Sequence, residues 1–333
     1  MLRILHDTKI DFIRLWKVTT VVTLLFIIPG LLWIGVSGYK YSIEFTGGTL
    51  MQVRFVQAPN VADVRSTLDQ AGIKGAEITQ FGTDLDYLIR AQDPRAVAQQ
   101  SRGAESIATE IQGALTKRFG ASAFSVQRTE AVGPKVGGEL KQKAIYAVLI
   151  SFLATLIYLA WRFEWRFGVA AVIATAHDIL ATLAFIKYAH PEISLVVVGG
   201  ILTMIGYSLN DTIIIFDRVR ENLRRRQKIP LYETLNRSVN ETLPRSVLTH
   251  ATVFATLLAL TILGGEVLRP FALVMLFGVV TGTFSSIYVA PPLLLWIEHK
   301  WPRTAEGGAS GRAKGAAPSR PAPRSTAAST SSR

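Results

Sequence analysis

The 333-residue chain contains no cysteine, so it has no disulfide framework, no thiolate nucleophile and no cysteine-ligated metal. A domain facing an oxidising compartment must therefore hold together through its core alone. G-x-x-x-x-G-K-[ST], H-E-x-x-H and G-x-S-x-G are all missing, which leaves ATP hydrolysis and the common hydrolase chemistries without support. No nucleophile–base set or metal-ligand spacing emerges either, and the expectation is a chain that is not an enzyme and carries no cofactor. Acidic residues are few, 24 against 36 Lys and Arg, for a net charge of +12.

What the chain has instead is long apolar runs. Apolar residues make up 49% of it, and they are bunched. Six segments have the length and hydropathy of membrane-spanning helices: 18–37, 144–161, 167–186, 193–216, 246–263 and 271–297. Residues 1–17, a loop at 217–245 and a tail at 298–333 lie between or beyond them, and 38–143 forms one large hydrophilic segment. That segment is balanced, with 11 basic and 11 acidic residues between Gly38 and Glu139. The positive excess sits at the N-terminus, at Arg162 and Arg166, in 217–245 and in the tail. An inside N-terminus puts every one of these on the cytoplasmic side, as the positive-inside rule requires. Basicity thus reads as topology and contact with membrane lipids, with no nucleic acid partner. The tail from Gly307 is built of Gly, Ala, Ser, Thr, Pro and Arg with a single Lys, has no large apolar residue, and is expected to be disordered.

Within 38–143 the patterns alternate. Thr49–Val56 reads as a half-buried strand; Val61–Ala71, behind Asn60 as N-cap, reads as an amphipathic helix. Glu77–Phe81 and Tyr87–Ala91 form a hairpin around Gly82-Thr83-Asp84, Ala104–Phe119 a second helix, and Ala123–Val132 a last strand. The order β-α-β-β-α-β predicts a ferredoxin-like domain outside the membrane.

Few polar groups interrupt the spans. Asp211, flanked by Asn210 and Thr212, lies inside the fourth span, where a carboxylate is costly and marks an ion or proton path by default. Arg245 opens the fifth span at a similar depth, so a pair that forms and breaks with proton arrival is one reading and a static ion pair fixing helix packing is the other. His177 and Asp178 form a second titratable site in the third span, either a relay or an interhelical hydrogen bond. His250 reads as a packed histidine. Gly278, Gly282 and Ser286 make a small-residue stripe for close helix contact, Gly199, Gly200 and Gly206 do the same for the fourth span, and Pro291-Pro292 should distort the end of the last helix.

The segments IEFTGGT after the first span, AVGPKVGGEL before the second, AHD in the third, IGYSLNDTIIIFDRVREN closing the fourth, and the later TLPRS and SSIYVAPPL together resemble the SecF side of the SecD/SecF family of bacterial protein-export subunits. The likeness runs over about residues 10–300. It implies a six-helix bundle of the resistance-nodulation-division class in the cytoplasmic membrane, with both termini cytoplasmic and one periplasmic domain. It further implies pairing with SecD, association with the SecYEG channel and contacts with YajC and a YidC-like insertase. The function implied is use of the proton-motive force, with Na⁺ as the other candidate coupling ion, to complete export of a translocating preprotein. Family positions implicated in proton transport match Asp211 and Arg245, and a further acidic residue would come from SecD. Two rival readings share the membrane plan: a proton-driven exporter of small molecules or lipids, and a non-transporting scaffold.

Overall fold

A computed structural model describes residues 8–91, 103–225 and 229–302. Residues 1–7 and 303–333 lie outside the described residues, and with them most of the tail expected at 298–333; its first residues, to Lys300, are helical instead. The chain begins with a short 3₁₀ turn, Ile13–Leu15, and α1, Trp16–Ser37. A single turn, α2 (Ile43–Thr46), leads into β1 (Gly48–Phe55), α3 (Val61–Gln70), β2 (Glu77–Gln80), β3 (Asp86–Ala91), α4 (Gly103–Phe119) and β4 (Phe124–Val132). Long helices follow: α5 (Pro134–Arg162), α6 (Trp165–Ala189), α7 (Leu195–Arg225) and α8 (Leu231–Leu263), then α9 (Gly265–Tyr288) and α10 (Ala290–Lys300). Among the described residues, six helical stretches, with α9 and α10 counted as one, are long and apolar enough to cross a membrane.

The small domain has the expected β-α-β-β-α-β order. Its sheet runs β2-β3-β1-β4, antiparallel throughout. Alternation explains the core: Met51, Val53 and Phe55 on β1 point to the same face as Tyr87, Ile89 and Ala91 on β3, and α3 and α4 cover that face with Val64, Leu68, Ile107, Ile111 and Leu115. Asn60 caps α3, its Oδ1 accepting from the Ala62 N–H at 2.9 Å. Asp86 lies buried at the start of β3. Hydrogen bonds from the Arg54 guanidinium and the Thr83 hydroxyl hold its carboxyl down at about 2, against the ordinary 3.8.

The bundle departs from expectation at segment 217–245 and follows it at Pro291-Pro292. The segment 217–245, expected as a loop, is helical on both sides of a short connection, because α7 and α8 extend well past their apolar windows. Phe216, Val219, Leu235, Val239 and Leu243 continue the helical stripe and are buried in one core cluster. The charges beside that stripe are paired rather than simply solvated: Arg218 Nε to Glu241 at 2.6 Å, Asn222 to Glu241 at 2.8 Å, and Arg162 to Asp217 at 2.7 Å. The last span is broken at Val289, where α9 ends and α10 starts with Pro291 and Pro292 in its first turn. A proline has no N–H to give to the preceding turn, so the helix restarts.

Short approaches lock the helices. A Cβ at Gly30 would sit 2.5 Å from the Ala184 Cβ, so α1 and α6 meet at a glycine, and α1 continues through Pro29. A Cβ at Gly282 would lie 3.1 Å from the Ser208 Cα, and one at Gly278 would collide with Met204. Gly278 and Gly282 thus bring α9 against α7, and Ser286 is fully buried on the same helix. Gly200 meets Val274 and Phe271, whereas Gly199 and Gly206, expected as packing glycines, face open space within this chain. Ahead of α1, the chain lies along α8: Asn240 accepts from the Ile10 N–H at 3.0 Å and donates to the Ile10 carbonyl at 2.8 Å, and Asn236 accepts from the Phe12 N–H at 2.9 Å.

Candidate functional site: two carboxylates inside the bundle

Asp211 lies on α7 facing α8 and is 2% exposed. Neither of its oxygens takes part in a well-formed hydrogen bond among the described residues. Its near neighbour is His250 of α8, whose Nδ1 stands 3.3 Å from Asp211 Oδ2. The same Nδ1 is 2.9 Å from Thr283 Oγ1 on α9, and the Tyr207 ring packs edge-on to the imidazole at 5.3 Å between centroids. Thr283 Oγ1 also lies 2.8 Å from the Val279 carbonyl. If the threonine proton goes there, Nδ1 must be the donor to Thr283, which is the tautomer that also presents an N–H toward Asp211. Tyr207 and Ser246 add two buried hydroxyls, neither in a well-formed hydrogen bond, with Ser246 lying beside the Asp211 carboxylate. An acid, an imidazole, a phenol and an alcohol, with four buried oxygens in no well-formed hydrogen bond, form a site able to take up and release a proton.

Arg245 is exposed and makes no direct ion pair with Asp211 among the described residues, but its charge is near enough to act on that carboxylate. Asn210 is exposed on the outer face of α7, and Thr212 is 2% exposed beside Asp211. His250, read from sequence as a packing residue, occupies the place assigned to Arg245. No counting signal selects it. With α7 ending at Arg225 and α8 starting at Leu231, residues 211 and 245 are equidistant from the turn, so simple register favours Arg245, and His250 lies five residues, about 7.5 Å, further along α8.

The second carboxylate is built differently. Asp178 on α6 has 0% exposure. Its Oδ2 accepts from Ser285 Oγ of α9 at 2.6 Å and from Ser208 Oγ of α7, and its Oδ1 lies 3.0 Å from the Nδ1 of His177. Three helices thus converge on one satisfied carboxylate. The two acids differ: Asp178 is saturated with donors, whereas Asp211 has His250 and Ser246 beside it but no well-formed hydrogen bond.

A model described as "Protein export membrane protein SecD/SecF, C-terminal" matches residues 111–300, and one described as "SecD/SecF GG Motif" matches 32–59. The protein translocase subunit SecF of Gemmatimonas aurantiaca is 61% identical over 305 residues, 91% of each chain. SecF of Desulfurispirillum indicum is 40% identical over 86% of this chain and 91% of its own. Among solved structures, SecDF from Thermus thermophilus, titled a translocon-associated membrane protein, superposes with a TM-score of 0.76 at 34% identity over 88% of this chain. The match spans 39% of that longer SecDF chain. SecDF in a super-membrane-facing form gives a TM-score of 0.64. With a mostly helical, multi-pass bundle, one small antiparallel sheet domain and these relatives, the chain belongs to the SecF family of protein translocase subunits.

Proposed function

We propose that this chain is the SecF-type half of a proton-driven, non-enzymatic export complex in the cytoplasmic membrane, with the sheet domain periplasmic and both termini cytoplasmic. Asp211 is the group that takes the proton, with His250 as its immediate exchange partner. The observation that carries this reading is the contrast between the two buried acids. Asp178 has every hydrogen bond a structural carboxylate needs, while Asp211 lies buried beside His250, Tyr207 and Ser246 without a well-formed hydrogen bond, a poor arrangement for a packing element and a suitable one for a group that changes charge.

The outer face of this site supports pairing with a SecD-type half. Thr203, Gly206 and Asn210 of α7 and Arg245, Thr249, Thr252 and Thr256 of α8 are exposed. Small and polar residues favour contact with another helix over lipid. Arg245 then serves from the interface, where a carboxylate of the partner can reach it. Association with the SecYEG channel, with YajC and with a YidC-like insertase, and action on an emerging preprotein, complete the proposal. One charge crossing 100 mV supplies about 2.3 kcal/mol, enough to bias a two-state bundle by tens-fold.

The test is gradient-dependent translocation in proteoliposomes holding the full complex. Asp211→Asn should remove the part of translocation that responds to the gradient while leaving ATP-driven insertion, and His250→Phe should do the same. Full gradient response in Asp211→Asn overturns the assignment. A response that follows a Na⁺ gradient and survives a protonophore would keep the site and replace the ion.

A further inference from the structure

The sheet domain is joined to the bundle at one place. Its incoming strand β1 is preceded by Gly47 and opens at Gly48, at φ of 74° and 125°, and its outgoing strand β4 leads through Gly133 into α5. The two crossings touch: a Cβ on Gly47 would lie 2.7 Å from the Pro134 Cα, and a Cβ on Gly137 would lie 2.9 Å from the Gly47 nitrogen. Two chain connections meeting at a single glycine-lined point make a hinge, with α2 as the short lever ahead of it.

That lever is tied to the outer end of α7. The Ser42 N–H donates to the Ile193 carbonyl at 2.9 Å and the Ile193 N–H to the Lys40 carbonyl at 2.8 Å, a small parallel bridge between the lever's approach and the residues leading into α7. Glu44, on the lever itself, accepts the Leu195 N–H at the first residue of α7 through Oε2 at 2.7 Å, and the Ser42 hydroxyl steadies the same oxygen at 3.1 Å. A carboxylate there satisfies an N–H that the helix leaves unpaired and lies at the positive end of its dipole. A further tie ends at the same spot: Arg90 of β3 forms an ion pair with Glu192. Every one of these contacts falls on residues 192–195. From Leu195 to Asp211, α7 is one continuous helix of about 24 Å.

We propose that Glu44 is a positioning residue that couples the proton site to the sheet domain, by fastening the lever at the hinge to the outer end of the helix that carries Asp211. The proposal rests on the reading of Asp211 given above. A shift of α7 on protonation moves its first turn; Glu44 and the Lys40–Ile193 bridge carry that movement into α2, and the glycines turn it into rotation of the domain. Of the polar ties to the lever, the bridge is made by main chain and survives substitution, and Glu44 is the side-chain component that mutation can remove; Phe45 beside it shares the apolar cluster of Ile193 and Val197.

The test uses the whole complex in proteoliposomes, with proton flux read from an internal pH dye and translocation measured in parallel. Glu44→Ala should keep proton flux and complex yield while gradient-dependent translocation per proton falls roughly fivefold, equivalent to about 1 kcal/mol at a helix end. Glu44→Gln, which keeps an acceptor oxygen, should fall less. The chain has no cysteine, so a Tyr41→Cys/Ile193→Cys pair at the bridge gives a single internal disulfide, and in the Glu44→Ala background its oxidation should restore most of the coupling. Unchanged translocation per proton in Glu44→Ala, or flux and translocation falling together, overturns the proposal. If Glu44→Ala does not assemble, the disulfide in the otherwise unaltered chain decides: coupling should survive, and its loss on oxidation means the contact must open in the cycle and the proposal is wrong. Asp211→Asn runs alongside. A gradient response retained there defeats the proton-site reading, whereas a response lost there but untouched by Glu44→Ala defeats only the coupling role.

Discussion

Removing the donors around Asp178 one at a time should show that this carboxylate is a pin between helices. Two hydroxyls, Ser208 and Ser285, bond to one oxygen, and a third donor, His177, faces the other. A hydrogen bond to a charged acceptor contributes about 1.5–3 kcal/mol in soluble proteins. Bonds between membrane helices average nearer about 0.6 kcal/mol, with a maximum of about 1.7. Asp178 has no exposed surface, so neither water nor lipid can replace a lost donor, and the upper membrane figure applies. Ser285→Ala or Ser208→Ala alone should therefore cost about 1–1.5 kcal/mol, because the remaining hydroxyl still serves Oδ2. Losing both strands a buried charge, and that costs about 3–5 kcal/mol. The double variant should thus lose more than the sum of the two singles. Denaturant titration of the purified complex in detergent measures all three, and additive losses would refute the shared-oxygen argument. Asp178→Asn sharpens the test: its export should fall only in proportion to the folded protein recovered. A variant with an unchanged unfolding midpoint but no gradient-driven export would make Asp178 a relay.

Two further outcomes follow from the sheet domain. Gly47 and Gly75 share a φ of 74°, but a Cβ meets Pro134 backbone only at Gly47 and open space at Gly75. Gly75→Ala should cost about 1–2 kcal/mol for positive-φ strain, and Gly47→Ala more, because its ψ of 167° lies in a region nearly reserved for glycine and its Cβ adds a collision of about 1–3 kcal/mol; limited proteolysis of the domain ranks them, and equal sensitivity would refute the hinge contact. Asp86 is held at about 2 by Arg54 and Thr83, below its ordinary 3.8. The stability it contributes is complete above about pH 4 and drains away as pH falls toward 2. Hydrogen exchange of β1 and β3 amides should rise over that window in the natural chain and stay flat over it in Asp86→Asn.

Periodicity alone located the sheet domain: the Thr49–Val56 alternation lies one residue from β1, and Asn60 caps the helix it was expected to cap. The inner extensions of α7 and α8 escaped notice for a physical reason. Hydropathy averages a charged helical face with its apolar stripe, so Val219, Leu235, Val239 and Leu243 were outvoted by the Arg and Glu beside them, although their spacing is helical. Asp211 was legible because a lone acid in an apolar run needs no partner to be conspicuous. Its neighbour was not, since His250 is distant in sequence and only the packing of two antiparallel helices brings them together. The Ser208 and Ser285 bonds to Asp178 depend on three helices crossing at one level, for which no local pattern exists. Glu44 in IEFTGGT stood in plain view, but what it touches begins at Leu195.

The grip of Asn236 and Asn240 on the leading segment falls on main-chain atoms of Ile10 and Phe12, and the Ile10 side chain points outward at 45% exposure. Such a clasp does not discriminate among side chains at position 10. Nineteen of the twenty residues can supply the amide hydrogen it takes there; proline alone cannot. The front of the chain is therefore free to vary in composition at that point without coming loose from α8.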